Sequence, residues 1–248
     1  MVLYKIMKIL PAIDLKGGKC VRLNKGDYKQ VTHYSDNPLE MAETWMSQGT
    51  NNLHIVDLDG AKAGKPINFT IIESIRKEFP NLFIQVGGGI RNQENIDRYI
   101  DVGIDKVIIG TKVVADPEFI KKIDANLLNK IIVDVAVKDE MLAVQGWNES
   151  SSYNTNDFIK ILEQNNISEI VFTDISKDGM LQGINLEKIK EIINFSNIPL
   201  IASGGVTSIE DIQNLKKLAG SGLSGIIIGK AIYENKISLP EAIKIAEN

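Results

Sequence analysis

The sequence predicts an α/β protein: a closed (β/α)8 barrel of the TIM type, with an internal twofold half-barrel repeat. Three observations lead there. Eight short apolar runs rich in Ile and Val alternate with segments of helical period. The chain has 248 residues, about the length that eight βα units require. Several features of the first half return in the second, in the same order, as from Asp14 to Asp134 and from Gly88 to Gly205.

The apolar runs occupy residues 8–13 (KILPAI), 53–58 (LHIVDL), 82–86 (LFIQV), 106–110 (KVIIG), 130–137 (KIIVDVAV), 169–174 (EIVFTD), 199–203 (PLIAS) and 225–229 (GIIIG). Continuous apolar runs mark strands buried on both faces, hence a parallel sheet. Parallel neighbours need crossovers, which are right-handed in nearly all cases. An open doubly wound sheet is the competing architecture, but it would use fewer strands. Helix signatures fill the gaps. In DNPLEMAETWMSQG, residues 36–49, Asn37 is the N-cap, Pro38 takes the first helical position and Gly49 is the stop. RNQENIDRYIDVG, residues 91–103, puts Ile96, Tyr99 and Ile100 on one face and ends at Gly103. NLEKIKEIINF and TSIEDIQNLKKLAG repeat the scheme, so eight helices are expected with eight strands. The longest irregular interval is 136–156, and NESSSYNTND reads as an exposed loop. No Pro-, Gly- or Ser-rich linker interrupts the series. Residues 1–248 therefore read as one domain, with half-barrels at about 1–125 and 126–248.

Composition narrows the function. At 44% apolar and 24% charged the chain is an ordinary soluble globular protein. Its net charge of −4 argues against nucleic acid or an anionic membrane as main partner, and leaves room for a local basic pocket. No apolar run reaches the ~18 residues of a membrane span. The opening residues, broken by Lys5, Lys8, Pro11 and Asp14, read as a first strand rather than a signal peptide. The single cysteine, Cys20, excludes an internal disulfide framework and points to a reduced, cytoplasmic location. His33 and His54 make no zinc-spaced cluster, and no G-x-G-x-x-G follows the first strand. A monomer without metal or organic cofactor is the expectation.

The repeat points to a ligand. PAIDL (11–15) matches IIVDV (131–135), VDLDGAKAG (56–64) matches TDISKDGMLQG (173–183), and VIIGTKV (107–113) matches GIIIGKAI (225–232). Gly88 in VGGGIR matches Gly205 in ASGGV. Functional loops of such barrels follow the C-terminal ends of the strands, and phosphate is frequently bound after strands seven and eight. Gly204, Gly205, Gly229 and Lys230 fall there, with Gly183 in the preceding loop. Gly88, Gly89, Gly110 and Thr111 make the matching set after strands three and four. Glycine lets the backbone approach an anion, and the helix that follows presents unpaired N–H groups. Two cradles across one mouth fit a small molecule with a phosphate at each end. Tight βα turns alone are the plainer explanation for one such pair; two pairs in symmetric positions, one followed by Lys230, favour phosphate.

The chemistry available is that of carboxylates. Asp14 and Asp134 end the first and fifth strands, on opposite sides of the rim. A carboxylate there is costly unless paired, solvated or functional. Two at symmetric positions between phosphate cradles read as an acid/base pair whose environments set their pKa values apart. Asp57, Asp59, Asp174 and Asp178 crowd the second and sixth strand ends; solvated loop carboxylates are preferred to a Mg²⁺ site, and Asp178 in KDG is promoted as facing the mouth. Cys20 reads as a buried structural thiol, and His54 as a satisfied core or rim histidine. Such chemistry suits isomerisation or tautomerisation better than redox or metal hydrolysis.

PAIDLKGGKCVRL, HIVDLDGAKAGKP, VGGGIR, VQGW, TDISKDGMLQG and ASGGV together resemble the ProFAR isomerase family of histidine biosynthesis, over almost the whole chain. The resemblance implies a twofold-repeat barrel, a bisphosphorylated substrate and an Amadori rearrangement of an aminoaldose to an aminoketose. It makes Asp134 the general acid and Asp14 the general base, with Arg22, Trp147, Thr173 and Asp178 near the substrate. Trp147 stacks on the aminoimidazole, or is an ordinary surface or core tryptophan. The related cyclase subunit, which works with a glutaminase, has a lysine where Arg22 stands, so Arg22 speaks for the isomerase. A non-catalytic phosphate-binding barrel leaves the two aspartates unexplained, and a phosphoribosyl anthranilate isomerase would need its cysteine elsewhere than Cys20. One departure stands out. The family commonly has Asp-x-Arg-x-Gly after the second aspartate; here VDVAVKDEM offers Lys138, which does not reproduce bidentate arginine contacts.

Overall fold

The structure, a computed structural model, describes residues 6–24, 26–138, 141–144 and 149–247. Eight parallel strands close into a ring. In chain order they are Lys8–Lys16, Asn52–Asp57, Phe83–Gly87, Lys106–Ile109, Ile131–Lys138, Ile170–Asp174, Leu200–Ser203 and Leu223–Ile228. Each pairs with its successor, and the eighth pairs back on the first with Gly225 opposite Lys8. All eight apolar runs became strands, because both faces of each are covered: one by the barrel interior, one by helices.

Helices pack outside the ring. Pro38–Ser47 starts where Asn37 accepts from the backbone N–H of Leu39 and Glu40, and Gly49 ends it with φ of +98°. It buries Ala42 and Trp45. Gln93–Asp101 is capped by Asn92 and buries Ile96 and Tyr99. Among the described residues no helix is long and apolar enough to cross a membrane.

Two expectations need correction. The described residues hold more than eight helical segments. The second strand is followed by Leu58–Ala63 and then Phe69–Glu78, the eighth by Lys230–Tyr233 and then Leu239–Glu247. After the fourth strand, Thr111–Ala115 gives way to two 3-10 turns, Pro117–Lys122 and Ala125–Lys130, because Pro117 cannot continue the preceding helix. Residues 149–157 of the stretch read as a loop are not one, and Asn148 lies outside the described residues. Glu149–Asn154 is a strand paired antiparallel with Met141–Val144, itself paired with the fifth strand, and Thr155 opens the helix Thr155–Gln164. Ladders bond through the backbone, so serine and asparagine side chains do not announce them. A second rim ribbon, Lys19–Asn24 with Asp27–Ser35, folds back from the first strand.

Candidate active site

Alternate residues of each strand face the ring interior, and that period builds the site. Leu10, Ala12, Ile108, Ile132, Val171 and Ile227 belong to an apolar plug inside the barrel. Two positions beyond plug residues of the first, fourth, fifth, sixth and eighth strands stand Asp14, Gly110, Asp134, Thr173 and Gly229. Asp14, Gly110, Asp134 and Thr173 line a hollow at the C-terminal end of the strands, about 1230 Å³ when counted out to open solvent, and Gly229 lines a smaller recess that shares Arg22, Asp178 and Ile227 with it. The first and fifth strands are four places apart in the eight-stranded ring, so Asp14 and Asp134 enter from opposite sides.

The two carboxyls have different surroundings. Arg22, on the rim ribbon, donates from Nη1 to Asp14 Oδ1 at 2.8 Å, and its Nη2 lies 3.8 Å from Asp178 Oδ1. Gly229 makes room for this guanidinium, since a Cβ there would collide with it. Burial is the largest influence on Asp14 and pushes it up to about 6; the Arg22 charge opposes the rise and Asp178 adds to it. Asp134 accepts a 3.3 Å hydrogen bond from Thr173 Oγ1, and among the described residues no cation is paired with it. Burial pushes Asp134 up to about 7, against the Thr173 bond and with the Asp178 charge. Burial also raises Asp178, opposed by Arg22 and the Gly179 N–H.

The glycines are held by packing. Gly88 has φ of +105°, and a Cβ on it would run into the Asp57 backbone. Gly204 has φ of +80°, and a Cβ would lie 2.6 Å from the Asp174 carbonyl oxygen. In three dimensions Gly88 thus matches Gly204, one residue short of the Gly205 match read from sequence. The second half is one residue shorter between its strand-end aspartate and its glycines. The helices after these turns do not present wholly unpaired N–H groups. Asn92 accepts from Asn95, while Ser208 and Asp211 form a capping box. Gly110 and Gly229 instead start short helices with no side-chain cap, and with near-identical dihedrals of −106°, −93° and −105°, −105°. Lys230 donates to the Gly179 carbonyl at 3.2 Å beside Gly204 and Gly205. Gly183 does not line the hollow; its carbonyl packs behind Gly205.

Asp57 is not a solvated loop carboxylate. It is fully buried and accepts from the N–H groups of Gly60, Ile67 and Asn68 and from Asn68 Nδ2. Asp174 takes bonds from Ser176 and from Asn185 Nδ2, the same eleven positions on as Asn68 from Asp57. Cys20 is a buried free thiol pushed up to about 12, by burial first and then Asp14. Lys138 ends the fifth strand in an exposed position, and Trp147 lies outside the described residues. Sequence reasoning missed Arg91 and Lys112, which line the hollow directly after the Gly87–Ile90 run and after Gly110-Thr111. Their position one or two residues past a glycine turn was the available signal.

Known proteins are similar to this chain in sequence. The family pattern described as histidine biosynthesis protein matches residues 8–238. The chain is 44% identical over 241 residues to a protein of Methylococcus capsulatus, covering 97% of this chain and 99% of that one. It is 47% identical over 236 residues to one from Hahella chejuensis, covering 95% and 97%. An Acinetobacter baylyi protein is 46% identical over 236 residues, covering 95% and 96%. All three relatives are named 1-(5-phosphoribosyl)-5-((5-phosphoribosylamino)methylideneamino) imidazole-4-carboxamide isomerase.

Proposed function

The chain belongs to the histidine biosynthesis protein family, and on that premise we propose how it works as an isomerase of the kind its relatives are named for. The substrate is an imidazole-4-carboxamide bearing two phosphoribosyl groups. The reaction is an Amadori rearrangement of an aminoaldose to an aminoketose. Asp134 gives its proton to the ribose ring oxygen; the C1′–O bond breaks and the amine lone pair forms a C=N bond. Asp14 then removes the C2′ proton. The C–H electrons form a C1′=C2′ bond, and the C=N pair returns to nitrogen. The enolamine loses its hydroxyl proton and gains one at C1′, giving the ketone. Atoms and electrons balance within the substrate, so no oxidant enters.

The observation that carries this reading is the asymmetry of two buried carboxyls entering one hollow from opposite sides. Arg22 pairs with Asp14, and among the described residues no cation pairs with Asp134. Near neutral pH Asp14 is mainly ionised and fit to be the base, while Asp134 keeps its proton for a larger share of the time. One phosphate is held at Gly88, Gly89, Gly110 and Thr111, the other at Gly204, Gly205, Gly229 and Lys230, with Gly183 supporting Gly205. Thr173 orients Asp134, and Asp178 with Arg22 fixes the base. The matching Asp57–Asn68 and Asp174–Asn185 pairs support a half-barrel used twice, and a biosynthetic role suits the cytoplasm. Incubating the protein with the bisphosphorylated aminoaldose and following the ketose by absorbance tests the proposal. Absence of conversion overturns it.

A further inference from the structure

We propose that His54 is a substrate contact, donating a hydrogen bond from Nε2–H to an oxygen of the sugar held beside Asp14. The inference rests on the reading of the hollow as a sugar-phosphate site and adds a residue to it. His54 lies on the second strand opposite Ala12 of the first and Gln85 of the third, one inward step below the Asp14–Val56 pair. It lines the floor of the hollow with Ala12, Ile108, Val171 and Ile227. Of these floor residues it alone has a side chain with hydrogen-bonding atoms.

Gln85 holds one of the two ring nitrogens and leaves the other for the ligand. The Gln85 Nε2 is 2.8 Å from His54 Nδ1. An amide N–H donates, so Nδ1 accepts and the ring proton sits on Nε2. Gln85 is fully buried, and its Oε1 has no partner among the described residues. A half-satisfied amide inside a barrel is costly, and here its one bond serves to orient the imidazole. No described residue bonds to Nε2. Burial first, and the Arg22 charge second, push the ring down to about 3. The imidazole stays neutral wherever the enzyme works, so it is a fixed donor rather than an acid or base. A neutral donor on an apolar floor suits a hydroxyl or ether oxygen, whereas a phosphate would call for charge.

The test uses the full chain with the aminoaldose as probe. His54→Phe should lower kcat/KM about tenfold. His54→Gln, whose amide nitrogen reaches the Nε2 position, should recover part of the loss. In the unmutated protein the ring ¹⁵N signals should report the Nε2–H tautomer, and the Nε2 signal should move when the aminoaldose is added. Gln85→Leu should let both tautomers appear and lower kcat/KM, a change that mere packing would not produce. A His54→Phe protein within twofold of the original, or an Nε2 signal unmoved at saturation, overturns the inference. Failure of the unmutated protein to turn over sinks the isomerase reading alone, because the ¹⁵N shift needs binding and no turnover. If His54→Phe does not fold, that shift decides.

Discussion

Arg22 and Asp14 form a 2.8 Å ion pair with both side chains nine-tenths buried. The pair joins a barrel strand to a rim ribbon, and Asp178 stands on the far side of the same guanidinium. Asp134 faces this group from the opposite wall, where among the described residues a threonine hydroxyl bonds to it. Burial thus draws both carboxyls toward their acid forms, and among the described residues it is at Asp14 that a cation opposes the rise.

Asp14→Asn and Asp134→Asn should each lower kcat by roughly 10²–10⁴, the usual worth of a general acid or base. Binding should survive, since the phosphate turns are untouched. Steady-state kinetics and calorimetric binding of the product check this. Turnover within tenfold of the original in either variant would remove that residue from the mechanism.

The pH profile of kcat/KM should be a narrow bell. Asp14 must be ionised, which fails as pH falls through about 6. Asp134 must be protonated, which fails as pH rises through about 7. The maximum should fall at roughly pH 6.5, with limbs that belong to the coupled set of acids rather than to single groups. A flat profile between about pH 5 and 8 contradicts the assignment.

Arg22→Met should move the acidic limb upward, because the charge that opposes the rise of Asp14 and Asp178 is gone. The bell then narrows and loses height. Leaving buried carboxyls unpaired should also cost about 3–5 kcal/mol at neutral pH. Arg22→Lys should fall between, since a point charge does not span two carboxylates as a guanidinium does. Urea midpoints and pH profiles of both variants provide the check; an acidic limb that stays in place counts against the Arg22 role.

Asp134→Asn should stabilise the fold at alkaline pH. The folded protein holds this proton more tightly than the unfolded chain, so stability declines as pH climbs from the ordinary value of 3.8 towards about 7. Removing the acid should restore about 2–4 kcal/mol at about pH 8 and nothing near pH 4. Equal urea midpoints at both pH values would argue that Asp134 is not strained by burial.

Gly204→Ala should destabilise by about 2–3 kcal/mol, because it adds left-handed backbone strain to a contact with the Asp174 carbonyl. Gly220→Ala, with open space around the new methyl, should stay within about 0.5 kcal/mol of the original. Comparable losses in the two variants would mean that the turn after the seventh strand can relax.

Arg22 shows where legibility stopped. Its side chain reads in sequence as a substrate contact; in the structure it grips Asp14, eight residues away along the chain, and Asp178, 156 away by subtraction of their numbers. Asp57 reads as a solvated loop carboxylate because Asp59 sits beside it, yet the backbone of residues 60–68 wraps it completely. The strand 149–154 reads as a loop because its serines and asparagines carry no apolar alternation. In each case the deciding partner comes from another βα unit or from backbone bonding, and neither leaves a trace in local composition.

The sequence alone determined the ring, the order of its strands and which residues stand at their ends, since buried parallel strands and capped helices impose their periods on the residues themselves. That included both aspartates and the paired glycine turns. Only the tertiary structure decided which aspartate meets a cation, which carboxylates are structural, and that Gln85 lies against the His54 ring. Charge and burial are properties of neighbours, and in a closed barrel the neighbours across the mouth lie half a chain apart.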